Sequence, residues 1–150
     1  MARYDYKVYP LNQPHPAFQN DNSYWMPVLS VRVSNPATRG NPSPRIEAII
    51  DSGAPECLFH ASIGRAIGLQ IESGIKYQMG GIVAGAMIEV YYHDVKLWAG
   101  SDHVHVRAGF SDQFSVAGIL GRRGFFENFI VTFDPSAEPP GFDLQRLGRA

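Results

Sequence analysis

The chain has 150 residues, 45% of them hydrophobic and 18% charged, with 13 Lys+Arg against 14 Asp+Glu and a formal net charge of -1. A domain of this size buries roughly 68–70% of its unfolded surface, enough for one core without disulfides or metal staples, and its charge balance lacks the clustered Lys and Arg that phosphate backbones or anionic lipid require. Cys57 is the only cysteine, which excludes an intrachain disulfide and a thiolate metal cluster. No apolar run approaches the ~18 residues of a membrane span, and the polar start from Met1 to Lys7 lacks the basic-then-apolar order of a signal peptide. The expectation is a cytoplasmic protein with no nucleic-acid or membrane partner.

Residues 1–22 and 135–150 are proline-containing and polar, and read as an N-terminal arm and a C-terminal tail around a domain at 23–134. Tyr4, Tyr6 and Tyr9 alternate loosely, as in an edge strand or a dimer arm, while Tyr24 and Trp25 read as a cover for the core. Val28–Val33 sets Leu29, Val31 and Val33 against Val28, Ser30 and Arg32, the period of a half-buried strand. The loop from Asn35 to Pro44 holds three prolines and a glycine and joins it to a returning strand at Arg45–Asp51. There the continuous Ala48-Ile49-Ile50 run suggests burial on both faces. Cys57–Phe59 follows as a short strand, and Ala61–Ile67 has helical spacing with Gly68 placed to end it. Gly74–Met79 and Ala86–Tyr92 flank the glycine-rich turn Gly80–Gly85 as a β-hairpin with a flexible tip. Further strands are predicted at Val95–Trp98, His103–Ala108 and Phe129–Phe133, with one or two helical turns in Arg122–Asn128. The pattern of many brief strands between Gly and Pro clusters is mainly β.

The segment Ile49-Ile50-Asp51-Ser52-Gly53-Ala54 puts a carboxylate at the end of an apolar strand. Burial there costs desolvation unless backbone N–H groups or a partner satisfy it. Taken alone, Asp-Ser-Gly is a turn, with Asp51 capping its own backbone and Gly53 supplying a positive φ. It does not stand alone. Strand-Asp-Ser-Gly-Ala, a short helix, the hairpin Gln78–Val90 and then Ile119-Leu120-Gly121-Arg122 follow one another in the order found in retropepsin-like aspartic proteases. The resemblance runs from Val28 to Asp134, and its ending, Phe125–Asp134, is similar to that of bacterial single-domain members.

This resemblance implies a small closed barrel of acid-protease type, with one or two short helices and a flap hairpin. It implies that Asp51 is the catalytic carboxylate, that Ser52 hydrogen-bonds across a dimer axis, that Gly53 allows close approach and that Ala54 borders the cleft. Met79, Gly80, Gly81, Ile82, Val83, Ala84 and Gly85 would form the flap over the substrate. Gly121 and Arg122 would form the corner behind the active-site loop, with Ile119 and Leu120 near the side-chain pockets. No cofactor and no metal are implied. Viral members place an acidic residue soon after the motif to pair with the Gly-Arg arginine. Here Pro55 follows Ala54, so either Glu56 is the partner of Arg122 or the pairing is lost.

Hydrolysis by two carboxylates needs one ionised group to take a proton from water and one protonated group to polarise the scissile carbonyl. Asp102, Asp112, Asp134 and Asp143 are followed by His, Gln, Pro and Leu, so the chain holds no second Asp-Ser/Thr-Gly. The second carboxylate is then Asp51 of another copy, and the expected assembly is a two-fold homodimer acting on a peptide or protein substrate. The function expected is an aspartic endopeptidase. The alternatives are a catalytically silent peptide-binding or dimerisation module of the same fold, and a small β-barrel with an unrelated ligand. His93, His103 and His105 lack the spacing of known zinc sites, and Cys57 reads as a buried structural thiol. Ser52 lacks the glycine elbow of an esterase nucleophile.

Overall fold

A computed structural model describes residues 1–81 and 84–148. In chain order its strands are β1 (Ala2–Asp5), β2 (Lys7–Pro10), β3 (Ser23–Met26), β4 (Val28–Ser34), β5 (Ile46–Ile50), β6 (Cys57–His60), β7 (Ile75–Gly80), β8 (Met87–Ala99), β9 (Asp102–Ser111), β10 (Gly118–Leu120), β11 (Phe129–Asp134) and β12 (Gly141–Arg146). One α-helix, α1 (Ala61–Ala66), and a single 3₁₀ turn at Ile71–Ser73 complete the regular structure among the described residues.

The order β4-β5-β10-β6-β9-β8, with β8 returning to β4, closes a six-stranded barrel, and β7 hangs from the outer edge of β8. This is the mainly β, small closed barrel expected from the sequence. Its centre is filled by the inward side of the alternating strands: Leu29, Val31 and Val33 of β4 are buried while Ser30 and Arg32 are exposed. Phe59 and Phe110, on neighbouring parallel strands, pack with ring centroids 5.9 Å apart. Short β10 is inserted between β5, to which it runs parallel, and β6, to which it is antiparallel. Because β5 and β10 run the same way, the chain leaves both at one end of the barrel, after Ile50 and after Leu120.

The structure departs from the sequence reading in several places. The ends are not arms outside the core. β1 pairs with β12, and β12 with β11, in a three-stranded sheet. Phe142 of β12 is fully buried in the main core, with Tyr4 stacked on it at 5.4 Å, and Leu144 is buried beside it. A polar, proline-containing segment conceals one alternating hydrophobic pair of this kind. Tyr24 and Trp25 do not cover the core: both are exposed on the β2–β3 hairpin, which pairs Val8 with Trp25 and Tyr9 with Tyr24. Val95–Trp98 is no separate strand but the continuation of the 13-residue β8, since nothing between Tyr92 and Val95 breaks the ladder. Arg122–Asn128 forms turns rather than a helix. Gly124 takes a φ of +95°, and its N–H and carbonyl are claimed by the side chains of Glu127 and Asn128. Among the described residues no helix is long and apolar enough to cross a membrane.

Candidate active site

In a strand, residues i and i+2 lie on one face. On β5 the inward positions are Ile46, Ala48 and Ile50, all buried, so Glu47, Ile49 and Asp51 form a stripe on the outer face. Ile49 is half-buried rather than enclosed on both sides. Its register partners, Val28 on β4 and Ile119 on β10, are half-buried too and share that face. Leu120 is fully buried in the core, so of the two residues expected near side-chain pockets only Ile119 faces outward.

Asp51 begins a tight loop at the end of this stripe. Its N–H donates to the Leu120 carbonyl at 3.0 Å, its carbonyl accepts from Ala54 N–H at 3.1 Å, and its Oδ1 accepts from Gly53 N–H at 2.9 Å. The carboxylate is exposed, as are Ser52 and Gly53, while Ala54 is half-buried. Gly53 does not adopt the positive φ expected of the turn. A Cβ there would stand 3.1 Å from Asp51 Oδ1, a tight contact that presses on the carboxylate accepting from the Gly53 N–H.

The loop is laced from behind by the segment after β10. Arg122 N–H donates to Ala54 O and Arg123 N–H to Pro55 O, each at 2.9 Å. Gly121 makes this approach possible, since a Cβ on it would lie 2.1 Å from the Glu56 carbonyl oxygen and 2.7 Å from that of Ala54. The Arg122 guanidinium donates to the carbonyls of Ser52 at 3.2 Å and Gly53 at 3.4 Å. Arg122 therefore holds the loop's backbone, and Glu56 is not its partner. Glu56 faces Arg123 at 3.9 Å, with Oε2 buried and without a hydrogen-bond partner among the described residues.

The β7–β8 hairpin forms the expected glycine-rich projection. Gly80 pairs with Met87, Gly81 N–H donates to Ala86 O at 3.3 Å, and Gly85 has a φ of +81° that only glycine adopts cheaply. Pairing of β8 with β9 begins at Tyr91, so Met87–Val90 extend past the barrel bonded only to β7 within the sheet. Met79 is half-buried and Ala84 exposed; Ile82 and Val83 lie outside the described residues. One tether escaped the sequence reading: Gln113, before β10, accepts from Glu89 N–H at 2.9 Å and ties the hairpin to the loop that feeds β10. A lone glutamine in a loop carries no pattern from which that contact could be foreseen.

The remaining candidates take structural roles. Cys57 is fully buried, donates toward the Arg123 carbonyl at 3.5 Å, and has its thiol pushed up to about 11 by burial. His93 Nε2 lies 2.8 Å from the Ile71 carbonyl, and His103 packs on Trp98 at 4.5 Å. Among the described residues no three His, Cys, Asp or Glu side chains converge as a metal site.

No family model matches the chain, and no curated protein matches it. Among solved structures it is similar to EIAV protease complexed with the inhibitor HBY-793, at 21% identity and a TM-score of 0.45, over 65% of this chain and 82% of that one. It is also similar to the retroviral protease-like domain of Ddi1 from Leishmania major, at 14% identity and 0.49, over 69% and 80%. A retropepsin-like aspartic protease from Rickettsia conorii matches at 10% identity and 0.47, over 99% of this chain and 100% of that one. The chain resembles retropepsin-like domains in fold.

Proposed function

We propose that the chain is an aspartic endopeptidase that works as a homodimer, with one water activated between two Asp51 carboxylates and no cofactor. The observation that carries this reading is the Asp51 loop. Its carboxylate stands exposed at the end of parallel β5, Oδ1 is fixed by Gly53 N–H, and the backbone beneath is held by Arg122. A carboxylate held by a backbone donor at one oxygen and open at the other is suited to meet a second one.

Two carboxylates about 3 Å apart cannot both ionise, so they share a proton and titrate as a pair. The ionised member takes a proton from water while the protonated member polarises the scissile carbonyl. An extended peptide adds a strand beneath the β7–β8 hairpin, whose glycines allow the tip to open for entry and close over the chain. Ser52 and Ala54 border the loop on which the two copies meet, and Ile119 and Ile49 line its apolar floor.

The test is mass in solution together with turnover of a peptide mixture by the native protein and by Asp51→Asn. The expected result is a dimer that hydrolyses peptides with a bell-shaped pH profile, and an Asp51→Asn dimer that does not. Peptide binding without turnover in either protein identifies the silent module instead, and turnover that survives Asp51→Asn overturns the carboxylate mechanism.

A further inference from the structure

The β2–β3 hairpin rests on the same outer stripe of β5 that ends at Asp51. In its register Tyr9 lies opposite Tyr24 and Lys7 opposite Met26, on one face of the ribbon, while Val8 and Trp25 occupy the other. The first face is anchored to the barrel through Glu47: Lys7 Nζ pairs with Glu47 Oε1, and the Tyr9 hydroxyl donates to Glu47 Oε2 at 3.2 Å. Between hairpin and barrel lies a cavity of about 260 Å³ walled by Tyr9, Tyr24 and Met26 on one side and by Ile49, Val116 and Ala117 on the other. Val28 and Glu47 complete the lining.

Three features set what this cavity accepts. Ile49 is two residues before Asp51 on the same face, so the cavity opens roughly 7 Å along the strand from the carboxylate. Among the described residues Glu47 is the one charged group in the wall, and its two oxygens are engaged by Lys7 and Tyr9, so its charge is paired rather than open to a charged guest. The Tyr9 and Tyr24 rings are stacked at 5.3 Å and 19°, a preformed aromatic wall, and Met26 beside them is an adaptable apolar surface.

We propose that the N-terminal hairpin is the specificity wall of the site. Tyr9 and Tyr24 close a pocket beside Ile49 that takes an uncharged aromatic or large aliphatic side chain of the peptide, next to the bond cleaved; this rests on the peptidase function proposed above. The hairpin lies outside the barrel and adds this wall from the first 26 residues of the chain.

Two measurements test it. Peptides that differ at one residue flanking the cleaved bond are compared as a ratio of kcat/KM for Phe over Ala, with Lys and Asp peptides as charged controls. The native protein is expected to favour Phe over Ala and to reject Lys and Asp. Tyr24→Ala lowers the Phe/Ala ratio roughly ten-fold, and Tyr24→Phe keeps it. A folded Tyr24→Ala dimer with an unchanged ratio overturns the proposal. The second measurement uses Asp51→Asn, which separates the pocket from the chemistry: N-acetylphenylalaninamide should shift the Met26 methyl resonance and N-acetylalaninamide should not. If the native dimer cleaves nothing, the peptidase reading fails and the pocket is judged on this shift alone; its absence overturns the pocket whether or not peptides are cleaved.

Discussion

The Arg122 guanidinium donates to the Ser52 carbonyl at 3.2 Å, so a side chain 70 residues further along the sequence supports the loop that presents Asp51. The contact is to backbone oxygens rather than to a carboxylate. It therefore fixes the path of the loop through its backbone and leaves the Asp51 carboxylate itself without a guanidinium contact.

Replacing Arg122 with Met keeps the aliphatic stem and removes the donors. Because the group is exposed, stability should fall by no more than about 1 kcal/mol. Peptide turnover should fall by about ten-fold or more, since a misplaced carboxylate loses its alignment with the water. Denaturant unfolding and kcat on the same sample check both halves.

Gly121 has no room for a side chain. Gly121→Ala drives a Cβ toward the Glu56 carbonyl, a backbone atom that cannot rotate away, and should cost about 1–3 kcal/mol or more. Gly81→Ala, where an added Cβ meets nothing within 4 Å, is the control expected to leave the unfolding midpoint unchanged.

The C-terminal strand belongs to the core. Phe142→Ala empties a fully buried site against Tyr4 and Phe133 and should destabilise by about 3–5 kcal/mol. An exposed neighbour such as Gln145 tolerates Ala, and chemical denaturation distinguishes the two.

Cys57 should be silent toward thiol reagents while the protein is folded. Burial raises its thiol to about 11, so almost no thiolate exists at pH 8, and the sulfur is shielded as well. Alkylation should proceed only in denaturant; rapid labelling of the native protein would contradict the buried placement.

Arg65 forks onto Asp112, Nη1 to Oδ1 at 2.7 Å and Nη2 to Oδ2 at 2.8 Å, joining α1 to the loop after β9. This hydrogen bonding, with the nearby charge of Arg65, holds the Asp112 carboxyl below its ordinary value of 3.8. A carboxyl whose folded pKa is depressed stabilises fully above its unfolded pKa and loses that contribution as pH falls through the folded one. Asp112→Asn should therefore melt below the native protein at neutral pH, with the gap closing as pH is lowered beneath 3.8. Paired thermal melts across that range measure it.

What the sequence determined by itself is what short-range pattern encodes. Leu29, Val31 and Val33 announce a barrel strand because their period is that of the pleat, and Gly80–Gly85 announces a hairpin tip because glycine permits its turn. Asp51 after an apolar strand is legible as a break in the hydrophobic pattern, but its carboxylate stands exposed and carries none of the desolvation cost that burial would have imposed. Tertiary structure decided which residues meet across the chain. Nothing local to Phe142 says that it enters the core, nothing near Arg122 chooses the Ser52 carbonyl over Glu56, and nothing in Tyr9 or Tyr24 points to Glu47 and Ile49. Those pairings follow from the closure of the barrel and the parallel insertion of β10. Such contacts depend on the joint placement of distant segments, whereas the periodicity of a single strand depends only on its own residues.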